Sequence, residues 1–229
     1  MNFRIAMVFF ALCFATAGVH ATIIYTVSDG TTTTTINPLA KAETAALYYD
    51  YSFDGFASGN PDFGPVNDKG FFWLYEDTNT GVLSLGMIFD KRIVSGGGTG
   101  GTMDMSSSGM PGTAFVSVSD EESPSGTFIN GNDTWLWFTT NTDGGMISGL
   151  ENLTWAIDLT LNSFTGLSNG FAFVNGPSPT GTSYINLALD NSGTSTLTIT
   201  ATEVPEPVTL ALMGLGLAGL GFGRRKRLF

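Results

Sequence analysis

The sequence predicts an all-β body, an antiparallel β-sandwich of jelly-roll type, between a cleavable N-terminal signal helix and a single C-terminal transmembrane helix. Three observations carry the prediction for the body: short apolar runs that mostly alternate, turn clusters between them, and no long stretch of helical periodicity. The runs fall at residues 22–28, 47–53, 70–76, 82–89, 113–119, 134–140, 154–162, 170–174, 184–189 and 195–202. They are rich in β-branched and aromatic residues, which fit a pleated surface. In Trp155-Ala156-Ile157-Asp158-Leu159-Thr160-Leu161 the odd positions are large and apolar, and Thr196-Leu197-Thr198-Ile199-Thr200 alternates strictly.

Turn residues separate the runs: Asp29-Gly30, Asn60-Pro61, Asn79-Thr80-Gly81, Asn130-Gly131, Asp143-Gly144-Gly145 and Asn191-Ser192-Gly193. Gly supplies left-handed backbone, and Asn and Asp bond their own main chain. Asn79-Thr80-Gly81, lying between two apolar runs, predicts a hairpin. Residues 31–35 read as exposed chain or as the extension of a strand, and 96–112, with three consecutive Gly and three consecutive Ser, as a long flexible loop. The one helical piece expected in the body is 38–47. No repeat of fixed period argues for a solenoid or propeller.

Residues 22–203 suffice for one domain with its own core. In that stretch the basic residues are Lys41, Lys69, Lys91 and Arg92; against 19 acidic residues they leave a net charge of −15. Such a field repels nucleic acid and anionic membrane, so nucleic acid is not an expected partner. It also repels an acidic polysaccharide unless divalent cations bridge the two.

Residues 1–21 form a secretory signal peptide: Arg4, an apolar run, then Val19-His20-Ala21, with the small Val19 and Ala21 at the positions signal peptidase reads. The chain's one cysteine (Cys13) and one histidine (His20) lie in this segment. Its removal leaves a body without thiol or imidazole, which excludes His or Cys metal sites, a Ser-His-Asp triad and histidine general-base chemistry.

The other end has three parts. Pro205 and Pro207 fix their own φ, remove two donors and disfavour helix at Val204 and Glu206, so Val204-Pro205-Glu206-Pro207 must be extended. Residues 208–223 are uncharged and, as a helix, roughly 24 Å long against a hydrocarbon core of about 30 Å. Arg224, Arg225, Lys226 and Arg227 then stay cytoplasmic under the positive-inside rule, and the body lies outside. This order resembles the sorting signal of PEP-CTERM proteins, found in Gram-negative bacteria that make exopolysaccharide. The resemblance implies recognition by exosortase, a membrane-embedded cysteine protease or transpeptidase, with cleavage near Pro-Glu-Pro and release or transfer to the cell surface. It covers residues 204–229 and says nothing of what the body does.

For the body, three readings follow: a structural or adhesive surface protein beside exopolysaccharide, a carbohydrate-binding module, and a polysaccharide hydrolase. Trp73 with Tyr75, and Trp135 with Trp137, alternate in their runs. Each pair is therefore either core or a platform on which sugar rings stack. Asn130, Asn132 and Asp133 offer the hard oxygen ligands of calcium, although Asn and Asp ordinarily make turns, and no other cofactor is expected. Met103, Met105 and Met110 are thioether ligands by type, with irregular spacing. A hydrolase needs two convergent carboxylates; Glu76, Glu151 and Asp158 are the candidates. No pair stands out, and the body is expected not to be an enzyme.

Overall fold

The computed structural model describes residues 22–53, 57–59, 61–90, 99–120, 128–139, 141–150, 154–178, 181–191 and 195–204. The expected signal helix (1–21) and membrane helix (208–223) lie outside them. Among the described residues no helix is long and apolar enough to cross a membrane.

In chain order the first elements are β1 (Thr22–Ser28), β2 (Thr33–Ile36), β3 (Leu39–Lys41), α1 (Ala45–Tyr49), β4 (Ser52–Phe53) and β5 (Ala57–Ser58). Then come β6 (Gly70–Asp77), β7 (Val82–Phe89), β8 (Gly101–Ser108), β9 (Phe115–Ser119) and β10 (Asn132–Trp137). The last are β11 (Asp143–Leu150), β12 (Trp155–Phe164), β13 (Phe171–Ser178), β14 (Gly181–Leu187) and β15 (Ser195–Val204). A six-stranded sheet has the order β10-β8-β12-β15-β1-β2, and a seven-stranded sheet is built on β14-β13-β6-β7-β11-β9, with β3 also paired to β6.

The sheets face each other across an apolar core, which makes the expected sandwich. Aromatic pairs bridge it: Phe89 of β7 lies 5.6 Å from Trp135 and 5.8 Å from Trp137, both on β10, and Phe164 of β12 lies 4.9 Å from Phe171 of β13. The alternation of β12 and β15 drives this packing. Ile157, Leu159, Leu197 and Ile199 point inward with no exposure, while the residues between them reach the surface.

β6 obeys no such alternation, because both of its faces are buried. Phe72 and Leu74 face the other sheet. Phe71, Trp73 and Tyr75 face away from it into a second cluster with Leu39, Ala45, Tyr48 and Tyr49. That cluster is the chain's own cover, a strap that includes residues 45–51, Gly59 and Phe63, laid over the outer face of the seven-stranded sheet.

Several expectations are corrected. The pairings of β13 and of β3 with β6 are parallel. The seven-stranded sheet is therefore mixed, and the two sheets together exceed the eight antiparallel strands of a jelly roll. Of the strand expected at 47–53, residues 47–49 end a helix and only Ser52–Phe53 pair, as β4: Thr44 caps α1 by accepting from Leu47 N–H, and Asp50, at φ 51°, ends it. The helix expected at 38–47 therefore shifts to Ala45–Tyr49, behind β3. In 96–112, expected as a loop, residues 101–108 form β8 inside the six-stranded sheet. Asp143-Gly144-Gly145, read as a turn, opens β11, an interior strand. Residues 33–36 pair with β1 as β2. The hairpin at Asn79-Thr80-Gly81 is present, with Asp77 opposite Val82.

Candidate functional site

The four candidate stacking residues are all in the core: Trp73, Tyr75, Trp135 and Trp137 are at most 4 % exposed. Trp135 and Trp137 fill the space between the sheets. Trp73 and Tyr75 do form a platform on one sheet face, and the strap occupies it. Tyr48 stacks on Tyr75 at 4.4 Å, Tyr49 lies parallel to Trp73 at 6.4 Å, and Phe63 meets Trp73 edge-on at 5.0 Å. Trp73 lies flat because residue 86 opposite it is glycine; a Cβ there would stand 2.1 Å from the indole. These rings are not available to a sugar.

A buried knot pins the strap. The Asp120 carboxylate accepts from the Tyr49 hydroxyl (2.9 Å), the Gly59 N–H (2.8 Å) and the Thr142 hydroxyl (3.2 Å). Burial, then the charges of Asp120 and Asp143, lifts the Tyr49 phenol well above its ordinary value. Burial first, then the charges of Glu43 and Asp77, pushes Tyr75 up to about 12. Other buried aspartates also serve backbone. Asp143 accepts from Leu136 N–H (2.6 Å), Asp90 from Asp68 N–H (2.7 Å), and Asp77 from Asn79 N–H (2.9 Å). Burial pushes the Asp29 carboxyl up, but bonds from Ala188 N–H, the Thr31 hydroxyl and the Thr32 and Thr31 N–H groups outweigh it. They hold the group well below the usual carboxylate range. Much of this acidic inventory is structural: carboxylates placed where turns and strand ends present donors.

The calcium candidates do not converge. Asn130, at φ 55°, spends its amide on one residue, accepting from Met110 N–H (2.8 Å) and donating to Met110 C=O (3.1 Å). Asn132 and Asp133 are consecutive on β10, so they project to opposite faces. Among the described residues no group of three acidic, His or Cys side chains is placed to hold a metal. Met103 and Met105 are buried on β8, and Met110 is buried just after it. Glu76 points toward the sandwich interior, where its charge acts on Tyr25, whereas Asp158 lies on the outer face of the six-stranded sheet and accepts from Thr198 (2.7 Å). With the six-stranded sheet between them, these two acids cannot flank one bond. Glu151 is outside the described residues. A cleft of about 250 Å³ opens where β9 and β10 end their sheets. It is lined mainly by apolar groups such as Met87, Val116 and Trp135, with Asp133 at its side.

The feature sequence reasoning missed is the outward face of the six-stranded sheet. Every outward position of β15 from 196 to 202 is threonine, and hydroxyls continue across its neighbours. Thr26 on β1 bonds Thr200 (2.6 Å), and Thr160 on β12 bonds Thr196 (3.0 Å). The signal was there: a strand whose polar half is a single residue type. Phe138, one residue past β10 and in step with its outward Thr134 and Leu136, is 63 % exposed at the margin of this face.

β15 runs to Val204, which is exposed. Pro205, Glu206, Pro207, Arg224, Arg225, Lys226 and Arg227, like Val19 and Ala21, lie outside the described residues. No curated protein and no solved structure matches the chain. One family does: the PEP-CTERM protein-sorting motif matches residues 203–227. The match contains the Pro-Glu-Pro strip, the apolar run and the basic cluster in one register, and that signal is the mark of export, sorting by exosortase and delivery to the cell surface. The C-terminal segment of the chain therefore carries a PEP-CTERM protein-sorting motif.

Proposed function

We propose that the chain is a precursor whose two ends are both removed or remodelled during export and whose β-sandwich is a structural or adhesive component of the cell surface or its matrix, beside exopolysaccharide. Signal peptidase cuts after Ala21. The apolar run 208–223 then holds the precursor in the inner membrane, with Arg224–Arg227 inside, until exosortase acts near Pro205-Glu206-Pro207. The observation that carries this reading is the match over residues 203–227, which begins where β15 ends.

The non-enzymatic role rests on the chemistry the body holds. It has neither His nor Cys, its best-placed acids stand on opposite sides of a sheet, and its tryptophans at 73, 135 and 137 are core. Mass spectrometry of the protein recovered from the cell surface tests the processing. The expected mature chain begins at Thr22 and ends near Pro207, and in a strain without exosortase the basic tail is retained. An intact Phe229 on the surface of exosortase-bearing cells would overturn it.

A further inference from the structure

We infer that the outward face of the six-stranded sheet is a docking surface for an uncharged polysaccharide. The inference deepens the surface-protein reading above and depends on it only for where the polymer is met. Its centre is the row Thr196, Thr198 and Thr200 on β15, flanked by Thr26 and Thr160.

The hydroxyls are held rather than free to rotate. Thr200 is bonded to Thr26, Thr196 to Thr160, and Thr198 donates to Asp158. A hydroxyl has one donor and two acceptor sites, so each bonded threonine keeps acceptor capacity toward solvent. Short side chains already fixed in place lose little entropy when a ligand arrives.

The charge around this row selects the occupant. The outward positions of the described strands in this sheet carry no Lys or Arg, and Asp158 and Asp104 stand among them. An anionic polymer or membrane is repelled. A protein partner would look for an apolar centre, and this face has hydroxyls there instead. A neutral polyhydroxyl chain matches it hydroxyl for hydroxyl, and Phe138 at the margin offers a ring to the C–H face of a sugar. Each hydroxyl contact replaces one with water and yields little, so binding grows with the number of sugars engaged at once. The expected ligand is a long chain, not a monosaccharide.

Native electrophoresis of the full chain, in a non-glycosidic detergent, through gels containing hydroxyethyl cellulose, dextran, galactomannan or alginate tests this. Retardation is expected in at least one neutral polymer and not in anionic alginate. Phe138→Ala should raise the apparent Kd up to about tenfold, as for loss of one stacked ring. Thr200→Lys should abolish retardation, with Thr198→Lys as a second face variant should the first melt early. Phe115→Ala, on an exposed residue of β9 in the other sheet, should leave migration unchanged. Free migration in all three neutral gels, retardation in alginate alone, or retardation indifferent to the face variants would each overturn the inference. The cleaved C-terminus seen by mass spectrometry is a separate readout, so this failure would leave the sorting reading standing.

Discussion

The outward positions of β6 carry Phe71, Trp73 and Tyr75, and those of β15 carry Thr196, Thr198 and Thr200. Both strands turn their other side to the same inter-sheet core, and both are interior strands of their sheets. What differs is the cover. The strap covers the outer face of the seven-stranded sheet at β6, and the outer residues there are aromatic because each contributes about 1.5–3 kcal/mol when buried. The six-stranded sheet presents its outer side to solvent, with residues that favour a strand without favouring burial. A strand's second face therefore reports whether the chain supplies a lid for it.

Substitutions separate the two faces by magnitude. Trp73→Ala should have the largest effect, about 3–5 kcal/mol of unfolding free energy in a denaturant titration, because it empties the space under Tyr49 and Phe63. A change below about 1 kcal/mol would mean that the strap is not packed as described. Tyr49→Phe should cost less, about 1–3 kcal/mol at neutral pH, by removing one donor from the buried Asp120. It also alters the alkaline limb. Unfolded tyrosine ionises near pH 10, whereas the folded Tyr49 phenol stays protonated well above that. Its contribution is full below pH ~10 and is lost as pH rises beyond it, so the variant should lose stability less steeply there than the parent. Thr200→Val is the smallest: it keeps β-branching, gives up one half-buried hydroxyl bond to Thr26, and should stay within about 0.5 kcal/mol. A penalty comparable to that of Trp73→Ala would erase the distinction between the sheets.

The same contrast explains what could be read from sequence. β12 and β15 alternate strictly because one side is wet, and both were legible, as were β1, β6 and β7. β8 (GTMDMSSS) and β11 (DGGMISGL) were not. Glycine and serine ordinarily mark turns, yet here glycines answer to close backbone approach: a Cβ at Gly144 would stand 2.3 Å from the Met87 carbonyl oxygen, and one at Gly145 2.5 Å from that of Val118. Such contacts come from neighbouring strands distant in sequence and leave no local pattern. The apolar surplus of Phe71–Tyr75 does require a partner, but which segment provides it is decided by Asp120, 71 residues away from Tyr49. The sorting motif was legible because its marks, Pro-Glu-Pro, an uncharged run and a basic cluster, are all properties of local sequence.

The strand that leads into that signal is also an interior strand, paired to β12 over seven consecutive rungs from Trp155 opposite Ala201 to Leu161 opposite Ser195, with β1 along its other side. Tension applied beyond Val204 therefore enters the sandwich along a cord gripped from both flanks. Pulling it loose means breaking two ladders, whereas an edge strand in the same position would surrender after one. In a chain held by its tail, that sheet order would be a mechanical fuse set high.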